Sequence, residues 1–333
     1  MMLETAAVAA MFIGVVAYGI FGGADFGSGF YDLTAGGARR GALLRTQIDH
    51  SIGPVWEANH VWLIYVLVFC WTAFPRPFVA AMTTLIIPLL LALLGIVLRG
   101  AGFAFRKYAA TLRQARIYGA TFAGASLIAP FFFGTVVGAI ASGRVPAEGN
   151  GDRWASWVNV TSLSVGVVAV ASCAFLAGTF LTADAVRAGH RDLADALRRR
   201  TLGVGVVAGI LALACLVPVA VDAPTLADGL LGAAAPFVAA SIVGGFAAVA
   251  LVWRRRPGVA RIPAVLAVGA VIIGWGSAQY PWLLVDEVTI SEGAGAPATL
   301  TALLIVTAIA AVLVLPPLIY LLRLTQSERW SRY

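Results

Sequence analysis

Charge is scarce in this chain. Asp, Glu, Lys and Arg make up 12 % of its 333 residues, against about 25 % in a soluble globular domain. Hydrophobic residues fill 60 % and mean hydropathy is +0.91, which excludes an ordinary water-soluble fold. Cysteine is as sparse. Cys70, Cys173 and Cys215 all lie inside apolar runs, with no CxxC and no Cys/His cluster. They read as small buried hydrophobes rather than a disulfide framework or a metal site. The histidines are His50, His60 and His190, and two of the four methionines are the first two residues. Haem in a membrane bundle needs His, Met or Cys ligands, so the chain alone is a poor haem protein. It also lacks a P-loop, a dinucleotide fingerprint, HExxH and an EF-hand loop. The net charge of +7 comes without basic motifs interleaved with aromatics, and nucleic acid is not an expected partner.

Long apolar sequence is what the chain has in abundance. Nine spans are predicted, at 5–22, 52–73, 78–98, 117–140, 158–183, 202–221, 229–253, 262–285 and 298–322, each near the ~20 residues that cross a bilayer. Backbone amides in hydrocarbon must be bonded internally, and the period-two alternation of a barrel is absent, so the spans are helices. No connection exceeds about 30 residues, too short for a globular insertion. The fold class expected is an all-α polytopic membrane protein, with residues 1–333 as one integral-membrane domain. The first residues lack a positive n-region, so the first segment is expected to remain as a span. No internal repeat is visible.

Basic residues set the orientation. Twenty of the 23 fall in connections after odd-numbered spans or in the C-terminal tail, which holds Arg323, Arg329 and Arg332. The positive-inside bias then puts the N-terminus outside and the C-terminus in the cytoplasm. Glu148, Asp152, Asp222, Asp228, Asp286, Glu287 and Glu292 fall on the outer side. Residues 184–200 are expected to prolong the fifth helix, with Asp195 and Arg199 paired at i,i+4. Trp154, Trp157, Trp253, Trp275, Trp282 and Trp330 lie near span ends, as interfacial aromatics do.

The most informative residue is Glu57, a carboxylate in the segment Gly53-Pro54-Val55-Trp56-Glu57-Ala58-Asn59-His60-Val61-Trp62 at the start of an apolar run. An ionisable group at membrane depth costs roughly 2.5–3.5 kcal/mol on insertion scales. Chains keep such a group where it feeds a proton, ion or substrate path, or where it is paired. His60 follows at i+3 and shares its face, so a Glu–His relay and a static pair to His60 or an arginine both remain open. Asp25 lies in Gly22-Gly23-Ala24-Asp25-Phe26-Gly27-Ser28-Gly29, a glycine-rich stretch where the first helix is expected to end or thin. It is either a solvated interfacial acid or part of one cytoplasm-facing polar funnel with Glu57. Trp56, Asn59 and Trp62 suit packing and inter-helix hydrogen bonding. Arg99 at the end of the third span is explained by snorkelling. Gly274-Trp275-Gly276-Ser277-Ala278-Gln279-Tyr280-Pro281 is unusually polar; it suits close helix packing, or a quinone or lipid headgroup contact at Gln279 and Tyr280.

Taken in order, these motifs resemble subunit II of the cytochrome bd quinol oxidases. The likeness rests on 23–29, 52–64, Phe74-Pro75, Leu98-Arg99-Gly100-Ala101-Gly102-Phe103-Ala104-Phe105-Arg106, Gly178-Thr179-Phe180-Leu181-Thr182-Ala183-Asp184 and 274–281, and it covers essentially the whole chain. The resemblance implies two four-helix bundles plus one peripheral helix in a bacterial cytoplasmic membrane. It implies a partner, subunit I, that carries haems b and d, oxidises quinol and reduces dioxygen to water with cytoplasmic protons. This chain would bind no cofactor firmly beyond a structural quinone, with Trp56, Asn59, Gln279 and Tyr280 as candidate quinone or partner contacts. The family's proton-path acid falls on Glu57, with Asp25 as its neighbour and His60 beside it. Well-known members read Trp-Asp-Gly-Asn where this chain has Trp56-Glu57-Ala58-Asn59, a variant that resembles the divergent, cyanide-tolerant branch. A purely structural assembly subunit and an independent secondary transporter are the competing expectations.

Overall fold

The computed structural model describes residues 2–37 and 39–325; Arg329, Trp330 and Arg332 lie outside the described residues. The chain is helical almost throughout. Helix α1 (Met2–Ala17) runs through a π-helical turn (Tyr18–Gly22) into α2 (Gly23–Leu33), one continuous run of 32 residues. The expected stop at 22 does not occur. Glycines there are poor helix formers, but they let α2 press against its neighbours: a Cβ on Gly27 would collide with the Cys173 backbone, and one on Gly29 with Ser126.

Next come α3 (Ala42–Ile52) and α4 (Trp56–Ala73). They form one apolar path bent by 51°, because Pro54 has no N–H to continue the ladder. The span expected at 78–98 is likewise divided, into α5 (Pro75–Thr84) and α6 (Ile86–Arg106). Pro88 sits in the first turn of α6, where proline is tolerated. Helix α7 (Leu112–Ala141) opens on a reciprocal Thr111–Gln114 capping box. Helix α8 (Val160–Arg187) opens on Asn159, whose side chain accepts from the Ser162 amide at 2.8 Å.

The expected extension through 184–200 is broken at residues 188–190, where Gly189 takes φ +76°, and α9 (Arg191–Asp222) starts afresh. Asp195 pairs with Arg255 at 2.8 Å and with Arg198 at 3.8 Å rather than with Arg199. Helices α10 (Pro224–Leu231), α11 (Ala235–Trp253) and α12 (Pro257–Ala278) follow. The span expected to reach 285 stops at Ala278, and β1 (Trp282–Leu284) turns back antiparallel on β2 (Val288–Thr289). A short α13 (Ile290–Gly293) leads to α14 (Pro297–Thr325) on the outside of the molecule.

Eight helical runs among the described residues are long and apolar enough to cross a membrane, or nine if α3 and α4 together form one span. The protein is an all-α multi-pass membrane protein. Small residues draw its centre together, as in membrane bundles generally. A Cβ on Gly134 of α7 would lie 2.6 Å from the Gly166 Cα of α8, and one on Gly102 of α6 would lie 2.8 Å from Phe122 N. Trp154 and Trp253 are exposed at helix ends, whereas Trp157 is buried beside Phe132 and Trp275 packs 5.9 Å from Phe12. The three cysteines are free thiols.

One end of the bundle gathers the arginines. Arg106 bridges Asp32 and Asp49, and Arg45 reaches Asp32 at 2.8 Å. Ser51 donates to Asp184 at 2.9 Å, and Asp184 also accepts from Arg187 and Arg261. The connections after the first, third, fifth and seventh predicted spans thus meet at one end.

Candidate functional site in the membrane interior

The elbow between α3 and α4 positions the site. Because the chain turns at Gly53–Val55, α4 begins at Trp56 and presents Glu57, Asn59 and His60 in its first turns. Asn59 points inward and is 5 % exposed. Its Nδ2 donates to Asp25 Oδ2 at 2.5 Å and to the Phe21 carbonyl at 3.4 Å. Asp25 is itself 6 % exposed. It is an interior group, not the solvated interfacial acid that the glycine-rich stretch allowed.

The counter-charge is Arg99. It was expected to snorkel, yet it is 1 % exposed and among the largest fully buried side chains. Helix α6 continues seven residues beyond it to Arg106, which sets it about 10 Å inside the helix end. Its guanidinium lies 5.0 Å from the Phe26 ring centre and 5.6 Å from that of Phe122; no ion pair or hydrogen bond joins it to Asp25 among the described residues, and the two opposite charges share the same buried region. The signal was present in the sequence: Gly100-Ala101-Gly102-Phe103-Ala104-Phe105 prolongs the apolar run past Arg99.

His60 is half-buried. Its ring lies 6.1 Å from Phe26, 6.2 Å from Tyr18 and 6.4 Å from Trp56, centre to centre. Its Nδ1, the Tyr18 hydroxyl and two guanidinium nitrogens of Arg99 are buried without protein partners among the described residues. Buried polar atoms are normally satisfied by protein or ordered water, so this region keeps hydrogen-bonding capacity beyond what its own side chains use. Tyr18, on the π-helical turn, was not anticipated as a member.

Glu57 stands apart from the cluster. It is exposed and has no ion pair or hydrogen bond among the described residues, so neither the His60 pair nor an arginine pair forms within the chain. Trp56 packs its ring 5.6 Å from Phe103. Gln279 is buried, its Oε1 without a partner, while Tyr280 is 55 % exposed, so the two do not share one environment. The glycines of that segment admit neighbouring rings: a Cβ on Gly276 would sit 2.7 Å from Phe12 Cε2. Among the described residues no group of three or more His, Cys, Asp or Glu is placed to hold a metal ion.

Known proteins are similar to this chain as a whole. A family model described as cytochrome bd terminal oxidase subunit II matches residues 3–325. Cytochrome bd ubiquinol oxidase subunit 2 of Bacillus subtilis (strain 168) is 30 % identical over 168 residues, 50 % of this chain and 48 % of that protein. In that match the chain spans about half the length of the curated relative. In the solved structure of bd oxidase from Geobacillus thermodenitrificans, one chain is similar with a TM-score of 0.82 at 26 % identity, over 97 % of this chain and 98 % of that one. With a family match across nearly every described residue and a shared fold over 97 % of its length, the chain belongs to the cytochrome bd terminal oxidase subunit II family.

Proposed function

We propose that this chain is the haem-free subunit of a bd-type quinol oxidase in a bacterial cytoplasmic membrane. Its partner, subunit I, oxidises quinol and reduces dioxygen to water; this chain scaffolds the partner and passes cytoplasmic protons toward it through Glu57. Family membership supports the complex. The observation that carries the proton role is Glu57 itself: an exposed carboxylate on the first turn of α4 without a hydrogen bond or ion pair among the described residues. A charge in that position is retained where a second subunit or a proton path takes it up.

The chain's own residues do not fit a haem. His50 and His190 are exposed at helix ends, and His60 is wedged among aromatic rings. Haem chemistry is therefore assigned to the partner. Reducing one dioxygen to two waters consumes four electrons and four protons, and the protons must cross a dry protein interior. In this reading Glu57 takes up the proton, His60 lies next inward, and Asp25 is fixed by Asn59. The arginine-rich end faces the cytoplasm, in line with the positive-inside bias. Residues 1–333 act as one membrane domain, arranged as two four-helix bundles with α14 peripheral, which its exposure supports.

A structural reading has its own support in Asp25 and Arg99, two buried opposite charges in one interior region, since buried polar groups can fix helix register. Glu57→Gln separates the two in the purified complex. The proton role predicts that quinol-driven oxygen consumption per haem falls on the order of 100-fold at unchanged haem content. Lost haem content with normal turnover per remaining haem would make Glu57 an assembly residue instead.

A further inference from the structure

Helix α11 ends and α12 begins in Arg254-Arg255-Arg256-Pro257. Arg255 adopts φ +58°, a left-handed conformation that a helix C-terminus ordinarily gives to glycine or asparagine. The turn therefore holds an arginine where the backbone disfavours one. Beside it lies a groove of about 340 Å³ between the ends of α8 and α12, lined by Arg187, Arg255, Arg256 and Arg261 and by Val186 and Val259. Two carboxylates answer these four cations: Asp184 takes Arg187 and Arg261, and Asp195 takes Arg255. Arg256 has no partner among the described residues, and the Arg261 Nε is buried without one. The groove keeps an excess of positive charge beside an apolar wall.

We propose that this groove binds the headgroup of an anionic phospholipid, with a phosphodiester against Arg255, Arg256 and Arg261 and an acyl chain along α12. Two observations favour a lipid over a free anion. Val259, Ile262 and Leu266, at i, i+3 and i+7, are 51 %, 64 % and 61 % exposed, an apolar track leading from the groove along one face of α12. Trp253, 70 % exposed, stands at the same helix end, the level where tryptophan meets headgroups. Basic pockets between helices on the cytoplasmic side suit such lipids. The general positive-inside bias needs only charge there, not a groove with an apolar track attached.

The test is native mass spectrometry of the protein as purified from its membrane with the subunits that accompany it, delipidated and titrated with phosphatidylglycerol. Arg255→Gln/Arg256→Gln is expected to weaken binding about thirtyfold, from two basic contacts. The charge-matched control Arg113→Gln/Arg116→Gln, also exposed and in the first turns of α7, is expected to leave binding unchanged. If the double variant is recovered in poor yield, Arg256→Gln alone replaces it, since that side chain makes no hydrogen bond or ion pair among the described residues. Equal losses in groove and control variants, binding of phosphatidylcholine as tight as phosphatidylglycerol, or displacement by millimolar inorganic phosphate would each overturn the lipid site.

Discussion

Arg99→Leu is the sharpest perturbation of the interior. Arg99 and Asp25 are 1 % and 6 % exposed, so removing the guanidinium leaves a carboxylate with only the Asn59 amide for company. The two opposite charges are buried together without an ion pair or hydrogen bond joining them among the described residues, so stranding one of them is expected to cost about 1–3 kcal/mol through its desolvation. Loss of the guanidinium's contacts with Phe26 and Phe122 adds about 1 kcal/mol. Asp25→Asn alone strands Arg99 and is expected to cost a similar amount. Together the two substitutions remove both charges, and exchange of a pair for neutral groups is close to neutral. The double variant should therefore be more stable than the sum of the singles by about 1 kcal/mol. The assay is the thermal unfolding midpoint of the solubilised protein, scored by size-exclusion chromatography over the full cycle. Strict additivity, or single variants as stable as the parent, would show that the two charges do not support each other.

Three further outcomes follow from packing and charge. Gly102→Ala places a Cβ 2.8 Å from Phe122 N and Tyr118 O, so α6 must move off α7; a loss of about 1–3 kcal/mol is expected in the same unfolding assay. Arg144→Ala is expected to cost less than about 1 kcal/mol, since its 2.5 Å pair with Asp222 is about one-third exposed on both sides; a loss as large as that of Arg99→Leu would contradict this. The Thr289 hydroxyl and amide donate to the Glu292 carboxylate at 2.7 and 2.9 Å, and these bonds hold it below the usual carboxylate range. A depressed value means that the stabilisation is complete above the unfolded value of about 4.3 and fades as pH falls through the lower folded one. Hydrogen-exchange protection of the Glu292 amide should hold from neutral pH down to that region, and loss near pH 6 would refute the assignment.

Hydropathy made the membrane class and the approximate place of most helices legible, because a bilayer demands long apolar runs whatever packs around them. Breaks within those runs were harder to see. Pro54 and Pro88 divide stretches that look continuous by composition, and both effects act through a missing N–H rather than through polarity. The Gly22–Gly29 stretch misled in the opposite direction. Low intrinsic helix propensity was overridden by tight contact with α7 and α8, which only small residues allow. Glu57, Asp25, Asn59 and His60 were visible as polar residues in an apolar setting. The division among them was not: Asp25 is buried on α2, and the rotation of α4 after its elbow turns Asn59 inward and Glu57 outward. Arg99 was misplaced because its helix was ended too early.

The proton role of Glu57 is tested most directly by following proton uptake itself. A pH-indicating dye outside the detergent-solubilised complex reports protons taken up when the fully reduced enzyme meets dioxygen, on the same time axis as the haem spectra. Glu57→Gln should slow proton uptake and haem reoxidation together, on the order of 100-fold, while Glu57→Asp retains most of the rate. Uptake at the parent rate in an assembled Glu57→Gln complex would contradict the assignment and return Glu57 to a structural part.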